Sequence, residues 1–169
     1  MPLPGRRLRI WRTFIVVTLG VVILLGASCG FGSSSFSLTN ASVDPRYVCP
    51  RGSHNASYDL HATADAHNGT SGSVTITTVT AVLTLASVHG AWLQQVGSKY
   101  DAGLVSFRPS SVGAGADATL HVTIPSACTN NSTAASAASY AEYRVTLTVS
   151  SSAGTVKIDS QNRHRITAA

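Results

Sequence analysis

Charge is what this sequence has least of. Asp, Glu, Lys and Arg make up only 11% of its 169 residues, and Glu142 is the only glutamate. Glu and Lys are too scarce to build the polar faces of surface helices, so a helical body is excluded. There is one methionine, at the start of the chain, and this removes a thioether copper site from the body. No Cys-x-x-Cys or His-x-His spacing occurs, no Gly-x-Ser-x-Gly elbow beyond residue 30, and no glycine-rich phosphate cradle between a strand and a helix. The formal net charge of +5 is also less than it looks. Arg6, Arg7, Arg9 and Arg12 supply most of it, and from residue 29 onward 8 basic residues face 7 acidic ones. That balance excludes the concentrated positive field that a phosphate backbone requires, so no nucleic-acid partner is expected.

What is abundant is Ser, Thr, Val, Ala and Gly. Thr and Val favour strands, and Gly and Ser favour turns, so composition alone points to an all-β body.

The four arginines precede an uncharged run from Thr13 to Ser28, which is the make-up of an export signal. The run is short for a spanning helix, which needs about 20 residues. It ends Leu25-Gly26-Ala27-Ser28-Cys29, and small residues before a Cys resemble the lipobox of bacterial lipoproteins. The resemblance implies cleavage before Cys29, lipidation of its sulfur and anchoring in a membrane. An uncleaved signal anchor and plain secretion are the rival readings; all three put the body outside the cytoplasm, and the expected location is the cell envelope, anchored to a membrane. The expected organisation is a signal peptide or anchor at 1–28, a Gly/Ser tether at 29–35 and a β domain at 36–169.

Within that domain, Tyr143-Arg144-Val145-Thr146-Leu147-Thr148-Val149 alternates apolar with polar residues, the signature of a strand buried on one face. It is expected to be the central strand F, over Tyr140–Ser150. Similar runs place strand A at Phe36–Val43, B at Ala56–Ala66, C at Ser73–Val88, E at Ala118–Ile124 and G at Thr155–Asp159. A bulge near Thr77-Thr78 would reconcile the two parities of strand C, with one strand buried on both faces as the alternative. Pro125 is expected to end strand E, one or two short strands fill Ala91–Gly115, and Gln161–Ala169 trails out with Ile166 still packed.

About seven strands with turn signals between them resemble an antiparallel β-sandwich of immunoglobulin-like or fibronectin type. Tyr143–Leu147 resembles the tyrosine-corner strand of these folds, which gives Tyr143 a structural role. Cys49 and Cys128 are the even pair left after Cys29. They fall in the A–B and E–F connections, which share a pole in this topology, so a disulfide between them is expected.

Candidate chemistry is sparse. Asp59, His61 and Asp65 share one face of strand B and are weak metal candidates, since any solvated strand face shows alternating polar residues. No catalytic residue and no cofactor is assigned. Trp92, Tyr100 and Phe107, in the irregular Ala91–Gly115 stretch, are the candidate binding surface, with ordinary core beneath a long loop as the competing reading. Arg163-His164-Arg165 reads as a basic, solvated tail. Asn40, Asn55, Asn68, Asn130 and Asn131 stand in glycosylation sequons. The expectation is a non-catalytic, membrane-anchored module for binding, adhesion or envelope scaffolding, with an unidentified protein or polysaccharide ligand. An envelope hydrolase or metal-binding protein is the alternative, and a chain offering an edge strand to a partner is a third reading.

Overall fold

A computed structural model describes residues 35–50, 55–128 and 139–168. The leader, Cys29 and most of the tether lie outside the described residues, as do Asn130 and Asn131. The described chain is all-β. In chain order the strands are β1 (Phe36–Val43), β2 (Arg46–Val48), β3 (Ser57–Asn68), β4 (Val74–His89), β5 (Lys99–Leu104) and β6 (Ser106–Arg108). They continue as β7 (Ser111–Val112), β8 (Asp117–Ala127), β9 (Tyr140–Ser151), β10 (Gly154–Asp159) and β11 (His164–Thr167).

One sheet runs β1-β3-β8-β6 and the other β2-β11-β9-β4-β5, with β10 extending the second sheet alongside β9. In immunoglobulin letters this is A-B-E-D against A′-G-F-C-C′, with β10 and β11 forming a G strand in two pieces. All pairings are antiparallel except β2 with β11, which is parallel. The strand order alone therefore defines an immunoglobulin-like sandwich.

Period-2 patterning explains why the layers stack. Leu60, Ala62 and Ala64 of β3 and Leu120, Val122 and Ile124 of β8 are fully buried. They meet Val79, Ala81, Leu83 and Leu85 of β4 and Val145, Leu147 and Val149 of β9 from the other layer. Each large aliphatic side chain removed from water contributes about 1.5–3 kcal/mol. The strand centred on Tyr143–Val149 is the middle of its sheet, between β4 and the two pieces of G.

The bulge in strand C lies between Ile76 and Thr78, and a second lies between Leu85 and Ser87. The first lets Val74 and Ile76, of one parity, face the same core as Val79 and Leu83. Three expectations need correction. The strand E region does not stop at Pro125, because β8 continues to Ala127. Beyond Thr123 only β3 flanks it, so proline's missing N–H costs no ladder bond on the open side. The stretch after Asp159 is not a tail, since β11 pairs with both β9 and β2. Ile166 is packed in the core as expected. The A–B connection, where Tyr47–Gly52 reads in sequence as a plain corner, contains the short strand β2.

The two poles are closed differently. Cys49 and Cys128 form the expected disulfide, with Cα atoms 5.8 Å apart and a sequence separation of 79. At the far end of β3, Asn68 is buried: its Nδ2 donates towards the carbonyls of Gly72 (2.8 Å), Val112 (2.9 Å) and Gly113 (2.9 Å). Its Oδ1 accepts from the N–H (3.0 Å) and hydroxyl (2.7 Å) of Thr70. This sequon asparagine is therefore committed to the fold.

Candidate functional site

The strongest surface feature lies on the β4–β5 hairpin. β4 leaves its sheet at His89, and Gly90 turns the chain with φ at +74°. A Cβ here would lie 3.2 Å from Ser139 Cα, so both conformation and space require glycine. Leu85 N–H donates to Ser98 O (2.9 Å) and Gly97 N–H to Leu85 O (2.8 Å), which closes the hairpin. Within the loop, Tyr143 Oη donates to Gln94 Oε1 (2.7 Å) and accepts from Trp92 Nε1 (3.3 Å). The hydroxyl of Tyr143 thus ties the central strand to the hairpin loop. Tyr100 Oη donates to Pro125 O (3.2 Å) and bridges the two sheets at their edge.

Among the described residues, four of the five large, well-exposed apolar side chains fall on this hairpin: Leu93 (55%), Val96 (63%), Tyr100 (41%) and Leu104 (72%). The fifth is Val48. The three aromatic residues expected to form one surface are divided. Trp92 and Tyr100 sit at the hairpin, with Trp92 packed against the core. Phe107 lies on β6 of the other sheet, opposite Val122, and packs against the core from there. A cavity of about 30 Å³ between Leu83, Gln94, Tyr100, Tyr143 and Ile166 has room for one water molecule and no more.

Asp59, His61 and Asp65 alternate on the exposed face of β3. Successive outward residues stand about 6.6 Å apart along a strand, too far to share an ion without side chains converging. Instead His61 and Asp65 have separate partners. Asp44 Oδ2 accepts from the His61 N–H (2.9 Å) and lies 3.0 Å from its Nδ1, and Asp65 Oδ2 accepts from Asn40 Nδ2 (3.0 Å). No group of three or more His, Cys, Asp or Glu side chains able to hold a metal occurs among the described residues.

The Arg163-His164-Arg165 stretch holds the groups with the clearest electrostatics. His164 is buried beneath β2, while its two neighbours face outward. Its Nδ1 lies 2.7 Å from Asp44 O, a group that can only accept, so Nδ1 carries the proton. Nε2 then accepts from Tyr58 Oη at 2.8 Å. Burial holds the imidazole below its ordinary value, against the pull of the Asp44 carbonyl and charge, and the ring is neutral. Burial also pushes the Tyr58 hydroxyl up to about 12, opposed by Ser126. Tyr47 stacks on Tyr58 with ring centroids 3.8 Å apart.

Outside, Arg165 donates to Glu142 Oε1 through Nη2 (2.6 Å) and Nε (3.1 Å), and Arg163 Nη1 donates to Oε2 (3.2 Å). Arg165 and then Ser87 hold the Glu142 carboxyl below its usual range. The Arg165 guanidinium also covers the Tyr140 ring at 4.2 Å. Sequence reasoning missed this cluster because its partners are brought together by the β9–β11 and β4–β9 pairings, and a trailing C-terminal stretch offers no β11.

No protein family model and no curated protein matches the chain. Solved structures with a similar course include AggA, the major subunit of aggregative adherence fimbriae type I from Escherichia coli. It is 10% identical, with 80% of this chain and 96% of that chain covered and a TM-score of 0.32. The CooA pilin subunit from enterotoxigenic E. coli is 9% identical, covers 77% and 99%, and has a TM-score of 0.30. A PapD-like domain of human CEP192 is 7% identical, covers 78% and 86%, and has a TM-score of 0.31. These scores are low, and the fold assignment rests on the strand order of this chain.

Proposed function

We propose that the chain is a non-catalytic, extracytoplasmic module, lipidated at Cys29 and held at a membrane, which binds a protein or polysaccharide partner in adhesion or envelope scaffolding. The observation that carries this reading is the concentration of exposed Leu93, Val96, Tyr100 and Leu104 on one hairpin. Leu93 and Val96 in the loop and Tyr100 on the adjoining strand leave apolar surface of the kind a partner covers. The hairpin is mounted on a rigid frame through Tyr143 and Tyr100, which suits recognition by a preformed surface. The Cys49–Cys128 bridge supports placement in an oxidising compartment. The basic leader and Leu25–Cys29 support export and lipidation.

Intact-mass analysis of the membrane fraction tests this placement. The expected species begins at Cys29, carries the lipid, and lacks the two thiol hydrogens of Cys49 and Cys128. A soluble cytoplasmic chain with both thiols free would overturn the reading.

A further inference from the structure

The two outer faces of the sandwich carry opposite charge. On the first sheet, Arg108 is the one cation among Asp44, Asp59, Asp65 and Asp117. On the second, Arg46, Lys99, Arg144, Lys157, Arg163 and Arg165 outnumber Asp101, Glu142 and Asp159. The described residues are neutral as a set, so this is segregation and not an excess.

The positive side is also shaped. An open groove of about 600 Å³ runs over β4, β9 and β10, lined by Thr84, Arg144, Thr146, Lys157, Asp159 and Arg163. Asp159 is engaged, its Oδ1 accepting from the Thr146 hydroxyl at 2.6 Å. Arg163 is steadied by Glu142 through one nitrogen, leaving most of its donors unused. Among the described residues, neither Arg144 nor Lys157 has a hydrogen-bonding or ion-pair partner. Lys157 stands opposite Thr148, Arg144 four positions further along β9, and Arg165 opposite Glu142. At the rise of a strand this staggers the cations over about 20 Å. Arg46, paired with Arg165, prolongs the row onto β2.

We infer that this groove binds a linear anionic glycan, a polysaccharide bearing carboxylate or phosphate groups along its length. A row of separated cations matches repeated charges, where a single compact anion would need the cations gathered at one point. Cations set in a recess, with threonine hydroxyls beside them, reach a chain that enters the groove better than a flat bilayer. The acidic opposite face repels the same polymer and fixes which side of the domain meets it. The inference rests on the charge map alone and stands whether or not the hairpin binds a protein.

The test uses the full chain in phosphatidylcholine nanodiscs with polygalacturonate as probe and dextran as the neutral control. Polygalacturonate is expected to bind, dextran not to, and high salt to abolish binding. Arg144→Gln/Lys157→Gln is expected to weaken binding about ten-fold, the loss of two exposed charge contacts. Arg108→Gln, on the other face, is expected to leave it unchanged. Both sets are surface substitutions, and an unaltered unfolding midpoint confirms intact folding. Equal binding by the double variant, equal loss in Arg108→Gln, or polygalacturonate bound no better than dextran would each overturn the proposal. Shielding of Lys157 from amine acylation by phosphatidylglycerol added to the disc, but not by the polymer, would assign the groove to the bilayer and overturn it as well. Association of the chain with itself at low salt, with no polymer bound, would do the same.

Discussion

The two poles of the sandwich solve one problem with different chemistry. At one, sulfur joins the segment after β2 to the segment after β8, and the neighbouring backbone follows: Cys49 N–H donates to Thr167 O (3.0 Å) and Cys128 N–H to Ala56 O (2.9 Å). At the other, a buried amide gathers the B–C and D–E turns without any covalent link. The difference teaches where each closure gets its strength. The disulfide acts mainly on the unfolded chain by shortening a long loop, whereas Asn68 acts on the folded chain by hydrogen bonding three carbonyls from a fully buried side chain.

The largest expected effect belongs to the covalent pole. Cys49→Ser/Cys128→Ser opens a loop spanning 79 residues of separation. By the loop-entropy model it should cost about 4–5 kcal/mol in urea unfolding. Asn68→Ala comes next. It leaves the buried carbonyl of Val112 and the partly buried carbonyls of Gly72 and Gly113 without their amide donor and should cost about 3 kcal/mol, with no dependence on reductant. Gly90→Ala forces a side chain into positive φ and against Ser139, and an unfolding midpoint should register about 2 kcal/mol.

The smallest effect is the pH response of His164. Its folded pKa lies below that of the free ring, so below about pH 6.5 the unfolded chain takes up a proton that the folded chain refuses. Stability should therefore fall as pH drops through that value, and the decline should end once the folded ring also titrates. His164→Gln should flatten this part of the pH profile relative to the parent chain. A profile identical in both would place the acid sensitivity elsewhere.

Where the sequence was legible, one periodicity decided the matter. Tyr140–Ser151 has one buried parity and matches the expected strand to within a residue, and Phe36–Val43 matches its expected bounds although its buried parity shifts between Thr39 and Ser42. The parity break at Thr77-Thr78 was readable because only a bulge lets both halves of β4 face one core. The cysteine pair was readable because topology placed both connections at one pole. What stayed hidden depends on partners far apart in sequence. Pro125 reads as a strand end, and only the absence of a second neighbour beyond Thr123 lets the strand pass through it. His164 sits between two arginines and looks solvated until Tyr58 and Asp44 O are seen on either side of its ring. The basic groove was hidden for a related reason. Arg144, Lys157 and Arg163 are unremarkable singly, and strand pairing is what lines them up.

Backbone hydrogen exchange, followed residue by residue in the oxidised and the reduced chain, tests the independence of the two closures most directly. Reduction should accelerate exchange first at Cys49, Cys128 and Ala168, while Asn68, Gly69 and Ile76 keep their protection. Faster exchange at Asn68 and Gly69 before, or in step with, the cysteine pole would contradict the account.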